Sequence, residues 1–258
     1  MSKLTRLPSV AYAAFIYSFL YVPIVILVAY SFNDSKLNAV WKGFTFEWYA
    51  KLWTNTSILE AAKISLTVGF FSTAISTMLG TLVAVGMYRY QFRGKGIIDA
   101  MLYVPLVMSE IVMGIALLAF FSMVQIPLGM GTLLVAHVTF SIPFVVVVIN
   151  ARLKGFDQSI EEASKDLGAN EWQTFRLITF PLLGPAIAAS AMLAFTISID
   201  DVIVSFFVAG PDSTTLPLQI FSMVRHGVTP EINALSTLML VVTLTFVIVA
   251  QRLQTKKR

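Results

Sequence analysis

Two carboxylates, Asp200 and Asp201, stand side by side in TISIDDVIVSFFVAG (Thr196 to Gly210), a run that otherwise reads as membrane-spanning helix. An ionised aspartate near a bilayer centre costs about 2.5–3.5 kcal/mol on insertion scales, so the pair needs a proton, water or a positive partner. Glu110 makes the same demand within another apolar run. No Lys or Arg lies inside any such run, so the chemistry open to these three acids is reversible binding of a visiting positive charge. On a continuous helix Ala194, Ser198, Asp201 and Ser205 share one face, and Thr196, Asp200, Val204 and Phe207 a neighbouring one. Adjacent residues diverge by about 100°. Asp201, backed by Ser198 and Ser205, is therefore expected to line a path, with Asp200 supporting it or meeting a partner helix.

Other chemistries lack their residues. Zero cysteines remove disulfides and thiolates, nothing has metal-ligand spacing, and no Ser, His and Asp set suggests a hydrolase. No G-x-x-x-x-G-K-[ST] phosphate loop occurs, so the chain cannot hydrolyse ATP by that route. No catalytic residue, metal ligand or cofactor is therefore assigned to this chain. An intramembrane enzyme built on Glu110, Asp200 and Asp201 would still want a nucleophile. His137, alone in an apolar run, reads as a satisfied packing residue.

The elements that must position these acids follow from composition. With 258 residues, 57% hydrophobic and 12% charged, the chain is too apolar for a soluble domain of its length. A bilayer core needs about 20 apolar residues per helical span, and six stretches qualify: Val10 to Ser31, Ile64 to Met87, Ile97 to Val124, Thr132 to Ile149, Pro185 to Ala209 and Ala234 to Ala250. Of the 18 basic residues, thirteen fall on one side: Lys3, Arg6, Arg89, Arg93, Lys95, Arg152, Lys154, Lys165, Arg176, Arg252, Lys256, Lys257 and Arg258. Lys36, Lys42, Lys51, Lys63 and Arg225 fall on the other. The positive-inside rule then puts both termini in the cytoplasm. The net charge of +4 reports this topology, as flanking charges that snorkel to head groups, and not a nucleic-acid footprint. The first span is too long for a signal-peptide apolar region and has no A-x-A site after it, so it is expected to be retained.

Between the first two spans, WKGFTFEWYAKLW predicts a short interfacial helix capped by Thr45, with Phe46, Tyr49, Leu52 and Trp53 on its apolar stripe. Trp48, off that stripe, is expected to anchor at the interface or to face a ligand or partner. Pro105 predicts a kink in the third span, with Glu110 near its middle. The aspartates lie about 13 Å of helix before Gly210, at a depth similar to Glu110. In the longest cytoplasmic segment, Ser159 with Glu162 predicts a capping box and a helix from Ile160 to Gly168, closed by a left-handed turn. Asn170 predicts the cap of a second short helix that Pro181 stops. Two polar helices joined at a glycine read as a docking surface.

The run EEASKDLGANEWQTFRLITFP resembles the cytoplasmic EAA loop of ABC importer permeases, with Glu162, Ala163, Gly168, Ile178 and Pro181 at the pattern positions. Ser164 stands where a second alanine is usual, and Phe180 where leucine is usual. SFNDSKL, GFTFEWYAKLW, LKGFDQSIEEASKDLGA, FTISIDDVIVSFFVAGP and VRHGVTPEINAL extend the resemblance over nearly the whole chain, to the permeases of spermidine/putrescine importers.

The resemblance implies an all-α membrane protein with six transmembrane helices in the type I importer (MetI-like) permease fold, residues 1–258 forming one permease domain with its coupling loop at 152–181. It implies a bacterial inner-membrane location and a heteromer with a second homologous permease, a dimer of ATP-binding subunits carrying ATP and Mg, and an external polyamine-binding protein. Trp48, Glu110, Ser198, Asp200 and Asp201 are the expected substrate-path residues, and Glu162, Ala163, Gly168 and Glu171 the expected coupling residues. Glu171 could equally begin a helix, or meet substrate. A linear di- or tri-amine would supply ammonium groups matching acceptors on two helices through charge-assisted hydrogen bonds. The alternatives are a permease for another small organic cation or amino-acid-like substrate, and a proton- or sodium-coupled carrier, for which no internal repeat is visible.

Overall fold

The computed structural model describes residues 3–35, 40–155, 157, 159–225 and 227–255. Lys36, Leu37, Phe156, Gln158, His226, Lys256, Lys257 and Arg258, named above, lie outside the described residues. Twelve α-helices are described: α1 Lys3–Tyr30, α2 Glu47–Leu52, α3 Thr56–Arg89, α4 Lys95–Val107, α5 Glu110–Met123, α6 Met130–Leu153, α7 Ser159–Asp166, α8 Glu171–Thr174, α9 Phe180–Asp200, α10 Ile203–Val208, α11 Leu216–Arg225 and α12 Pro230–Thr255. A single antiparallel bridge, Asn33 to Phe44, is the extended pairing among the described residues.

The fold is all-helical and apolar, as expected, and two of the six expected spans are broken. Four helical stretches are long and apolar enough to cross a membrane singly, and a bent pair brings the number to five. The apolar part of α12 over Pro230–Thr245 is shorter than a crossing among the described residues. The expected third span is that bent pair: α4 and α5 meet at 114°. Pro105 lies inside α4, and the break comes later, where Met108 (ψ 143°) and Ser109 (ψ 139°) are extended. Glu110 thus opens α5, where a carboxylate favours the exposed N–H groups of a first turn, and does not sit mid-helix. The fifth span is broken as well. α9 ends at Asp200, Asp201 is extended (ψ 125°), and α10 starts at Ile203.

Pro181 does not stop the second cytoplasmic helix. α8, a wide π turn over Phe175–Thr179 and α9 form one stretch from Glu171 to Asp200, 30 residues long. The π turn re-routes the hydrogen bonding just ahead of a residue that has no N–H to give. The two short helices expected there are therefore α7 and the start of a spanning element.

The chain divides into two compact units, residues 1–59 with 220–244, and residues 60–219 with 245–258. In the first, Thr45 Oγ1 accepts from Glu47 N (3.1 Å) although Phe46 is the flanking cap residue, and Asn55 donates to Glu231. In the second, one apolar core joins Met113 and Phe121 of α5, Leu133, Ala136 and Phe140 of α6, Val204 and Val208 of α10, and Val68 of α3. Another joins Ala84 and Val85 of α3, Val145, Val146, Ile149 and Leu153 of α6, and Leu183 and Ala194 of α9. Lipid tails are as apolar as these side chains, so close packing must drive helix association. Gly114 supplies it: a Cβ there would lie 2.4 Å from Phe207 Cδ2.

Candidate functional site

The two helix breaks open onto one cavity of about 460 Å³ in the second unit. Pro105, Leu106 and Met108 line it from the end of α4, Glu110 and Met113 from α5, Phe140 and Phe144 from α6, and Thr196, Ile197 and Asp200 from α9; Asp201 to Val204 complete the wall. Glu110 and Asp200 are exposed, and neither has a hydrogen bond or ion pair among the described residues. No Lys or Arg lines the cavity. Its walls are apolar apart from the three acids and one threonine, a composition suited to orienting a ligand through few polar groups.

Asp201 behaves differently. It is 8% exposed and accepts hydrogen bonds from Val204 N (3.2 Å), Ser205 N (2.7 Å) and the Ser205 hydroxyl (2.7 Å). It caps the turn that begins α10, as an Asp at a helix start does. His137 Nε2 lies 3.1 Å from Ser205 Oγ and 3.6 Å from Asp201 Oδ2. His137 Nδ1 lies 2.7 Å from Ser198 Oγ, which is 3.1 Å from Ser72 Oγ.

This corrects the helical-wheel expectation. The chain turns between the two aspartates, so Asp200 and Asp201 reach one cavity, and the acid with resident partners is Asp201. Ser198 serves the same buried network, through His137. His137, Ser205 and Ser72 supply the neighbours that a search for Lys and Arg overlooked. The local signal is present: an Asp just ahead of an apolar helix, reaching the N–H groups three and four residues on, is a cap pattern as well as a charge.

Trp48 belongs to the first unit, where it is buried and donates from Nε1 to the Asn33 carbonyl at 2.8 Å. The ring, expected to anchor at the interface or to face a ligand or partner, has Lys51 Nζ 4.6 Å from its centroid.

The coupling segment follows its pattern with two changes. Asp157 Oδ1 accepts from Ser159 N (3.0 Å), so the residue capping α7 is Asp157 and not Ser159; hydrogen bonds from Ser159 hold the Asp157 carboxyl below its ordinary value. Gly168 has φ +87° and closes α7, with its N–H bonded to Lys165 O and that of Ala169 to Ser164 O. Ser164 is buried and paired with the Thr174 hydroxyl (2.9 Å), which explains how a polar residue fits where alanine is usual. Asn170 and Gln173 cap α8 reciprocally. Glu162, Ala163, Gly168 and Leu167 are exposed.

Arg89, expected to be a flanking charge, is half-buried at the end of α3. It pairs with Glu161 (2.6 Å), the Thr179 hydroxyl (2.7 Å) and Glu171 (3.4 Å). Glu171 also meets Lys165 at 2.6 Å. That hydrogen bond is the main reason the Glu171 carboxyl sits below its ordinary value and the Lys165 ammonium above.

Broken apolar helices around an acid-bearing apolar cavity, with a helix-turn-helix held by ion pairs, make up a membrane permease architecture. The fold is shared with chains of solved ABC transporters. One, from a bacterial ABC transporter involved in the import of the acidic polysaccharide alginate, matches with a TM-score of 0.76 at 16% identity, over 97% of this chain and 95% of that one. Another, from the inward-facing MetNI methionine ABC transporter, matches with a TM-score of 0.65 at 16% identity, over 80% of this chain and 97% of that one.

The chain belongs to the family of inner membrane components of binding-protein-dependent transport systems, which matches residues 76–256. Within it, the chain is 51% identical to the spermidine/putrescine transport system permease protein PotC of Escherichia coli (strain K12), over 92% of this chain and 89% of that protein. It is 44% identical to the putrescine transport system permease protein PotI of the same strain, over 87% and 82% respectively.

Proposed function

We propose that this chain is the permease subunit of an ATP-driven polyamine importer, and that Glu110 and Asp200 receive the ammonium groups of the passing substrate. The observation that carries this reading is the pair of carboxylates without a resident cation, on two broken helices that share one cavity. A linear diamine carries positive charge at both ends and methylenes between, which suits acids set in apolar walls. Charge-assisted hydrogen bonds are about twice as strong as neutral ones, yet a transported ion must leave as readily as it enters. Two exposed acids in an open cavity meet both demands better than a closed cage. Asp201 supports the site from behind. The relatives' names, which state spermidine and putrescine, support the choice of amine over other cations.

Energy arrives through α7 and Gly168, which dock on a separate ATP-binding subunit. A second permease completes the path, an external binding protein delivers the amine, and the basic segments face the cytoplasm. The test is uptake of labelled putrescine and spermidine into vesicles holding the assembled transporter. Uptake that needs ATP and survives collapse of the proton gradient is expected; uptake that persists with ATP exhausted and a gradient intact would overturn the reading.

A further inference from the structure

Import as proposed gives His137 no part, yet both its ring nitrogens are engaged and it is buried among four helices. The protons of its neighbours can be counted. Ser205 Oγ gives its one proton to Asp201 Oδ2, a carboxylate with none to return. The same oxygen lies 3.1 Å from His137 Nε2 and can only accept there, so Nε2 carries a hydrogen. In a neutral ring Nδ1 then accepts from the Ser198 hydroxyl at 2.7 Å, so Ser198 Oγ accepts in turn from Ser72 at 3.1 Å, which turns the one Ser72 proton away from its other acceptor, the Gly69 carbonyl at 3.3 Å. A directed chain results, from Ser72 on α3 through Ser198 on α9, His137 on α6 and Ser205 on α10 to the Asp201 carboxylate.

We infer that His137 is a positioning residue for the translocation site: its Nε2–H holds the Ser205–Asp201 cap against α6, fixes the break between α9 and α10, and so keeps Asp200 turned into the cavity. The alternative conformation is easy to name. Helix continued through Asp201 would rotate successive side chains by about 100° and send the two aspartates to different faces. Asp201 in its extended conformation prevents this, and its three accepted bonds hold it there. Two of those bonds come from backbone N–H groups of α10 and arise locally. Val204 and Val208 pack α10 into the core and the Thr132 hydroxyl donates to Val208 O at 2.8 Å, but the hydrogen-bonded link from the cap itself to another helix runs through Ser205 to the His137 imidazole.

This inference rests on the import reading only for its transport readout. Its first test is spectroscopic: histidine ring nitrogens are labelled with nitrogen-15 in the assembled transporter, with a His226→Asn sample to assign the two histidines. A hydrogen on His137 Nε2 at neutral pH is expected, and an Nε2 without one would overturn the inference. The second test compares His137→Gln, whose amide N–H stands near the place of Nε2–H, with His137→Asn, whose amide reaches only the place of Nδ1. Loss of one buried hydrogen bond predicts a polyamine KM raised about tenfold in His137→Asn and within about twofold of wild type in His137→Gln. Equal KM values in two variants that assemble to wild-type yield would overturn the inference. A wild-type transporter that imports no polyamine would sink the import reading alone, and the ring spectrum would still judge His137.

Discussion

Glu161 and Glu171 in the coupling segment each lie within 3.4 Å of a resident cation, Arg89 for both and Lys165 for the second. Glu110 and Asp200 at the cavity have no such neighbour among the described residues. The first arrangement is structural. Arg89 has been taken out of solvent at the point where α3, α7 and the π turn meet, and a fork of donors satisfies the acids around it. The second gives up stability, because unpaired acids in an apolar wall cost free energy that the first-turn N–H groups beside Glu110 offset only in part. Asp201 is a third case, an acid that backbone and hydroxyl donors satisfy without any full positive charge. Three environments for carboxylates in one unit separate holding the fold, shaping the site and receiving a charge.

That contrast can be broken in several places. The largest effect is expected from Asp200→Asn combined with Glu110→Gln, which removes two charge-assisted bonds of about 1.5–3 kcal/mol each. Uptake of labelled polyamine should fall by two or more orders of magnitude, as that sum converts, while thermal stability holds or rises; unchanged uptake would erase the distinction between the two regions. Arg89→Gln should do the reverse. It leaves the half-buried Glu161 without its cation, a loss of up to about 3 kcal/mol, visible as a lower melting temperature of the purified assembly, with polyamine KM in surviving transporter near wild type.

Smaller effects sharpen the picture within the coupling segment. At φ +87° and with open space around its Cα, Gly168 is constrained by its backbone alone, so Gly168→Ala should cost about 1 kcal/mol. The readout is transport per ATP hydrolysed, which should drop while ATP turnover persists. Least of all is expected from Lys165→Ala, because the Lys165–Glu171 pair is exposed and solvent screens it. The sign of its pH dependence is fixed. The Glu171 carboxyl is lowered by Lys165, so its contribution is present above the ordinary glutamate range and lost as pH falls through the lowered value. The Lys165 ammonium is raised by Glu171, so its contribution is full below the ordinary lysine range and lost as pH rises through the raised value. Melts of wild type and variant should differ by a small, constant amount around neutrality and converge at both extremes.

Much of the helical frame was legible because apolar length is a one-dimensional signal. The coupling turn was too, since Gly168 and Asn170 each carry a local backbone preference. The breaks at Met108–Ser109 and at Asp201 were not, because apolar residues continue across them and the polar residues there were read as chemistry alone. Ser109 with Glu110, and Asp201 with Ser205, are also helix-start patterns. Wheel position sets Trp48 off the apolar stripe, and its hydrogen bond to Asn33 depends on a return of the chain that periodicity does not encode. The partnerships of Arg89 with Glu161 and of His137 with Asp201 join residues more than sixty positions apart, and no local pattern announces either.

The most direct test asks which carboxylate touches the cargo. Solid-state NMR on the assembled transporter, stalled with nitrogen-15 putrescine and carrying carbon-13 carboxylates, measures dipolar contact between ammonium nitrogens and side-chain carboxyl carbons. The account predicts contact to an aspartate and a glutamate that vanishes in Asp200→Asn and Glu110→Gln respectively and survives in Asp201→Asn. Contact that survives both of the first two changes and disappears with Asp201→Asn would contradict it.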